Sequence, residues 1–157
     1  MTTSPSNVAL RGYQVAACEA IQRGFTEYQR QLLVLPTGGG KTVVFAHLAA
    51  INQPRRTLVL AHREELIGQA VDKIRAVTGL TAEVEMADSH ASFNAPVVVA
   101  SVQTLMRSKR RERWPRDHFG LVVGRSYLCI WSSVFGLRRV GHADERNGSG
   151  HRNIQSE

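Results

Sequence analysis

Leu35-Pro36-Thr37-Gly38-Gly39-Gly40-Lys41-Thr42 is the stretch that decides the reading of this chain. It ends in Gly-Lys-Thr and lies between a short apolar run, Leu32-Leu33-Val34-Leu35, and a helical pattern that begins at Lys41 and carries Val44, Leu48 and Ile51 on one side. Three successive glycines let the backbone curl so that its N–H groups point inward, which is the chemistry of a phosphate cradle. The helix that follows adds the positive end of its dipole. Lys41 supplies an ammonium for the β- and γ-phosphates, and Thr42 a hydroxyl for Mg²⁺. A buried strand before the loop and an amphipathic helix after it are the context that a P-loop requires. The plain alternative is a glycine-rich turn with no ligand. Lysine, hydroxyl and flanking elements together weigh against it. Leu35 stands where the consensus has its first glycine. A dinucleotide-binding turn is excluded because Val43 occupies the last glycine position of Gly-x-Gly-x-x-Gly, and no Asn-Lys-x-Asp motif supports a GTPase.

Outward from the loop, strands and helices alternate. Upstream, a helix is expected from Leu10, with a stripe of Tyr13, Ala17, Ile21, Phe25 and Tyr28; Gly24 weakens its end. Residues 32–35 read as a strand buried on both faces. Downstream, Asn52-Gln53-Pro54 breaks the helix that starts at Lys41. Residues 57–61 are a second buried strand, followed by a helix with Glu64 and Glu65 in its first turn and Gly79 where a C-cap glycine belongs. Residues 82–86, 97–100 and 121–123 are further strands, with a short helix from Val102 to Arg107. Strands separated by helices indicate a doubly wound parallel α/β sheet.

The composition is consistent with one such domain. The chain has 157 residues, 43% hydrophobic and 21% charged, which is globular and large enough for a core without disulfides or metals. Two cysteines, Cys18 and Cys129, exclude a disulfide framework, and no Cys/His spacing suggests zinc. No apolar run approaches the ~20 residues of a membrane span, and the N-terminus lacks a signal-peptide pattern. A cytoplasmic location is expected. The net charge of +7 favours a polyanionic partner. The basic run Lys109-Arg110-Arg111-Glu112-Arg113 reads as solvated surface on a loop, adding salt-dependent affinity at most.

Four stretches taken together resemble superfamily-two DEAD/DEAH-box helicases, in the branch of type III restriction helicase subunits: Leu10-Arg11-Gly12-Tyr13-Gln14, residues 36–42, residues 58–70 (LVLAHREELIGQA) and residues 97–105 (VVVASVQTL). The resemblance runs from residue 10 to about 123 and implies the N-terminal RecA-like P-loop domain of an ATP-dependent DNA helicase or translocase. It divides the chain into a tail (1–9), a partial ATP-binding domain (10–124) incomplete at its C-terminal end, and a tail without family pattern (125–157).

The resemblance implies an ATP and Mg²⁺ site made of Arg11, Tyr13, Gln14, Pro36, Thr37, Gly38, Gly39, Gly40, Lys41 and Thr42. Gln14 is its adenine reader, Lys41 its catalytic phosphate contact and Thr42 its Mg²⁺ ligand. His62, Arg63, Ser101, Gln103 and Thr104 are implied as nucleic-acid contacts, with DNA expected over RNA and restriction or repair subunits as partners of a longer parent. For Ser101 a helix N-cap is the structural alternative, compatible with the functional one.

The family pattern then stops. Asp-Glu-Ala-His or a variant belongs directly after Leu121-Val122-Val123, where this chain reads Gly124-Arg125-Ser126-Tyr127-Leu128. Asp144-Glu145 lies without a buried strand before it and reads as a decoy. Loss of a general base typically costs about 10²–10⁴ in rate, so efficient hydrolysis by this chain is not expected. A frameshift or pseudogene product is the expected origin of the switch, and exposed apolar surface with aggregation its expected consequence. The rival readings are a non-catalytic nucleotide- or DNA-binding fragment and a small-molecule P-loop kinase, for which no lid or acceptor pocket is legible.

Overall fold

The structure is a computed structural model that describes residues 9–36 and 38–124, and the backbone of 129–132. In chain order its elements are α1 (Gly12–Gly24), β1 (Arg30–Leu32), α2 (Lys41–Ile51), β2 (Arg56–Ala61), α3 (Glu64–Thr78), β3 (Ala82–Glu85), β4 (Val97–Ser101), α4 (Val102–Met106), α5 (Ser108–Glu112), β5 (Phe119–Gly124) and β6 (Cys129–Ser132). Apart from its first eight residues, Thr37 and residues 125–128 and 133–157, every expected element falls within the described chain.

β2 lies near the middle of a six-stranded sheet of order β1-β6-β5-β2-β4-β3. It runs parallel to β4, with Ala61 level with Ser101, and parallel to β5, with Leu60 level with Gly124. Its continuous apolar sequence is explained by burial on both faces. Val59 and Ala61 enter one layer with Phe45, Ile67, Ile74, Val97, Val99 and Val123; Leu58 and Leu60 enter the other with Val98, Leu105, Trp114, Phe119 and Val122. Helices α1, α2 and α3 cover the first face; α4 and the segment through Trp114 cover the second. Phe45 and Ile74 are wholly buried, and burial of such a side chain contributes about 1.5–3 kcal/mol. Gly79 closes α3 in the left-handed region (φ 71°), its N–H donating to the Arg75 carbonyl at 2.9 Å, as expected of a C-cap glycine.

Four features differ from the sequence reading. The strand before the glycine loop is Arg30–Leu32 rather than residues 32–35, and it is not buried on both faces: Leu32 is 63% exposed and Val34 80%, while Leu33 and Leu35 turn into the core. β1 is an edge strand, paired among the described residues with β6, and the side chains of 32–35 alternate between solvent and core. Of the expected stripe on α1, Ile21 is buried and Phe25 packs against the core, but Tyr13 and Tyr28 are exposed, and the residues buried with Ile21 are Gln14 and Cys18. The helix ends at Gly24, where the Gln31 side chain takes the space of a Cβ and donates to the Ile21 carbonyl, 2.8 Å. Residues 108–112 form α5 instead of a loop. Within the stretch read as patternless, Cys129–Ser132 is a strand, antiparallel to both β5 and β1. The sheet is therefore parallel except for this inserted strand. No helix among the described residues is long and apolar enough to cross a membrane.

The second layer contains a histidine that the sequence left without a role. His118 packs edge-on against Phe119 (ring centroids 4.7 Å apart) and beside Trp114 (5.0 Å). Burial pushes its imidazole below the ordinary pKa and the Arg56 guanidinium pushes it further down, partly opposed by Asp117. The folded state thus prefers neutral His118, and acidification favours the unfolded chain, which takes up the proton more readily. The contribution is complete above the ordinary histidine value of about 6.5 and is lost as pH falls below it. The melting temperature of the wild type is expected to drop between neutral pH and pH 5 more steeply than that of His118→Gln; parallel profiles would contradict this.

Candidate functional site

The sheet's register brings four candidate segments to one edge. Leu32 of β1 is level with Cys129, which is level with Gly124; Gly124 is level with Leu60, and Ala61 with Ser101. The glycine loop, His62-Arg63, α4 and the end of β5 therefore all emerge at the carboxyl ends of the parallel strands, where open α/β sheets bind ligands.

The loop's conformation needs its glycines. Gly38 and Gly40 have φ of 79° and 74°, a region that L side chains avoid. A Cβ on Gly40 would strike the Gln14 amide, and one on Gly39 would press on the Pro36 carbonyl at 2.9 Å. Gly40 is the residue before α2, and the N–H groups of Val43 and Val44 both close on its carbonyl (2.9 and 3.1 Å). Lys41 and Thr42 are thus the first two residues of α2, half-buried, with N–H groups ahead of the first intrahelical bond. An eleven-residue helix presenting such groups suits an anion. Thr37 lies outside the described residues.

Gln14 is the hinge between α1 and this loop. Its Oε1 accepts the Arg11 N–H (2.9 Å), and its Nε2 donates to the Gly39 carbonyl (3.3 Å). The Tyr13 hydroxyl donates to the same carbonyl, at 3.1 Å. The expected adenine reader and the expected phosphate loop are therefore in direct contact. Arg11 is exposed at the N-cap of α1, and Pro36 is exposed before the loop. Beneath them Cys18 is buried, and burial, then the Glu19 charge, raise its thiol pKa, which keeps it protonated and inert.

The second group is centred on α4. Ser101 and Thr104 are buried, and they satisfy each other: the Thr104 N–H donates to Ser101 Oγ (3.0 Å) and the Ser101 hydroxyl to Thr104 Oγ1 (2.9 Å). The N-cap reading of Ser101 is what is observed. Gln103 is exposed, and its amide donates to the His62 carbonyl at 3.1 Å, joining α4 to the exposed His62-Arg63 turn. The surface of this group is His62, Arg63 and Gln103; Ser101 and Thr104 support it from below.

Sequence reasoning missed a third cluster. Glu85, wholly buried at the end of β3, is paired with Arg110 Nε (3.2 Å) and Arg113 Nη1 (2.9 Å), and accepts the Ala91 N–H (2.8 Å). Two members of the run read as solvated surface are thus interior partners of a buried carboxylate. The sequence offered no local signal: β3 carries two glutamates, Glu83 and Glu85, and only the second is wholly buried. Among the described residues no group of His, Cys, Asp and Glu could hold a metal ion by itself.

A parallel α/β sheet with a glycine-rich loop at the start of the helix after β1 is the architecture of RecA-like helicase N-terminal domains, and solved helicase structures share the fold. The bacteriophage T4 UvsW helicase superposes with a TM-score of 0.58 at 20% identity, over 78% of this chain and 46% of that one. The type ISP restriction-modification enzyme LlaGI, solved with a DNA substrate mimic, gives 0.58 at 19% identity, over 74% and 15%. The chain belongs to the family of the type III restriction enzyme res subunit, whose pattern matches residues 7–124. Its curated relatives include "Putative ATP-dependent helicase IRC3" of Saccharomyces cerevisiae, 34% identical over 128 residues. That match covers 73% of this chain and 18% of IRC3. "Putative ATP-dependent RNA helicase L396" of Acanthamoeba polyphaga mimivirus is 28% identical over 144 residues, 87% of this chain and 27% of that protein. The chain spans less than a third of the length of these relatives.

Proposed function

We propose that this helicase-family domain binds Mg·ATP on the loop at residues 36–42 and a nucleic-acid strand along His62, Arg63 and Gln103, without efficient turnover of its own. The carrying observation is the Gly39 carbonyl, which takes both the Tyr13 hydroxyl and the Gln14 amide. It puts the residue types suited to a base beside those suited to a phosphate chain. The cradle fits a triphosphate: glycines that leave room, a positive helix end, the Lys41 ammonium and the Thr42 hydroxyl. Bound Mg²⁺ would be held by Thr42 and would neutralise phosphate charge. Gln14 has two N–H donors and two carbonyl lone pairs; the Arg11 and Gly39 bonds use one of each, and the remaining pair matches the adenine amino group and a ring nitrogen. DNA is preferred on the strength of the restriction-enzyme family. The exposed amide, imidazole and guanidinium of the α4 group suit backbone contacts without sequence preference.

Efficient hydrolysis needs a carboxylate to activate water after β5, and the sequence continues there with Arg125-Ser126-Tyr127. The test is titration of the purified chain with a fluorescent ATP analogue and with a short single-stranded DNA, alongside ATP turnover. Binding of both ligands with no DNA-stimulated turnover is expected. Failure to bind either ligand would overturn the reading, and DNA-stimulated turnover abolished by Lys41→Ala would replace it with an active enzyme. Gln14→Ala is expected to weaken ATP more than GTP; an equal loss would remove the adenine-reading role and leave Gln14 as a brace of the loop.

A further inference from the structure

The buried carboxylate cluster is connected to the proposed nucleic-acid strip by an unbroken chain of contacts. Arg110 does more than pair with Glu85: its Nη2 donates to the carbonyls of Ala87 (2.7 Å) and Ser89 (3.0 Å), and its Nη1 contacts His90 Nε2. One guanidinium thus holds the turn after β3 at three points while its Nε is anchored to Glu85. On the other side of that turn the Ala87 N–H donates to Thr104 Oγ1 at 3.4 Å. Thr104 is the residue that caps α4 with Ser101, and Gln103 of the same helix holds His62. Arg113 fixes the following segment, through Glu85 and the Ala91 carbonyl (2.7 Å).

Ala87 shows that this arrangement is imposed. It has a φ of 47°, and it is the one residue other than glycine with positive φ among those described. Alanine avoids this region, and a residue stays there only where its surroundings over-determine it. Here Thr104 grips its N–H and Arg110 its carbonyl.

We infer that Arg110, anchored by Glu85, is a positioning residue for nucleic-acid binding: it holds Ala87 in the left-handed conformation, so that the turn after β3 buttresses Thr104 and sets the tilt of α4 beneath Gln103 and His62. The inference rests on the nucleic-acid reading proposed above. Arg110 acts through the turn and does not itself touch the strand; its side chain is 15% exposed.

A directly contacting cation and a positioning one respond differently to substitution, and binding of the full chain to oligo-dT at several salt concentrations separates them. R110K keeps the charge but loses the planar fork. Single-strand affinity is expected to fall about five- to twentyfold, within the range of coupled contacts in one network, while the affinity for a fluorescent Mg·ATP analogue stays at the wild-type value. R110Q should weaken binding with an unchanged salt slope, whereas loss of a direct phosphate contact would reduce the slope by about 0.7. E85Q removes a negative charge, so long-range attraction alone predicts tighter DNA binding; the inference predicts weaker. Adding A87G to R110K should restore part of the affinity, because glycine adopts the left-handed conformation freely. If E85Q fails to fold, R110K and the double variant still decide the matter. The inference is overturned by wild-type DNA affinity in R110K, by a reduced slope in R110Q, or by an equal loss of nucleotide and DNA binding. No DNA binding by the wild type would instead overturn the function on which it rests.

Discussion

Lys41→Ala is expected to weaken binding of Mg·ATP by about ten- to a hundredfold, the worth of a charge-assisted hydrogen bond of about 1.5–3 kcal/mol. Lys41 opens α2 directly after a glycine with φ of 74°, so its backbone borders the loop formed by residues 38–40. Thermal stability should hardly change, because Lys41 is half-buried and forms no ion pair within 4.0 Å among the described residues. Removal of its charge from a helix N-terminus, where a cation is disfavoured, stabilises slightly if anything. Calorimetric titration with the ATP analogue and a melting curve check the two halves together. Unchanged affinity would remove the phosphate role from the loop. A large loss of stability would show that Lys41 serves the fold.

Glu85→Ala is expected to have the opposite signature. It leaves Arg110 and Arg113 without their carboxylate and the Ala91 N–H without its acceptor. Removal of one partner from a buried ion network costs about 3–5 kcal/mol, a large share of the 5–15 kcal/mol that holds a typical domain. Arg110 is 15% and Arg113 27% exposed, so both can swing partly into water, and the lower end of that range applies. Urea unfolding with a reduced midpoint and an unchanged slope is the expected result. A loss below about 1 kcal/mol, the size of a surface pair, would mean that the network contributes little to stability. Glu85→Gln keeps an acceptor for Ala91 and should fall between the two, which is why it suits the binding test better than alanine.

The contrast between these residues shows where the sequence was informative. The loop before α2 was legible because its demands are local: Gly38-Gly39-Gly40-Lys41-Thr42 carries its own backbone requirements, and two of its glycines have the positive φ that the motif implies. Gly79 was legible for the same reason, as was β2, whose unbroken apolar run matches burial on both faces. Tyr13 shows the limit of periodicity. The stripe through Tyr13, Ala17 and Ile21 and the true buried stripe through Gln14, Cys18 and Ile21 differ by one residue at their start. Gln14 is polar, so hydrophobicity could not select it; what buries it is the loop carbonyl 25 residues away.

Ser101 was legible as a helix cap, while the turn that Thr104 supports was not, since Ala87 gives no sign in sequence of a left-handed backbone. Arg110 and Arg113 looked like ordinary surface cations because a run of charges says nothing about a carboxylate arriving from another strand. The same applies to β1: an apolar run cannot state how many of its faces will be covered.

The amino-acid sequence by itself determined the α/β alternation, the glycine turn before α2 and the family, because each depends on neighbours within a few residues or on motifs in a set order. Only the tertiary structure decided that β1 is an edge strand, that Gln14 and Tyr13 meet at Gly39, and that Glu85 draws two arginines inward. Those features depend on which segments meet across the sheet. Burial and ion pairing are properties of that meeting, and no short window of residues encodes it.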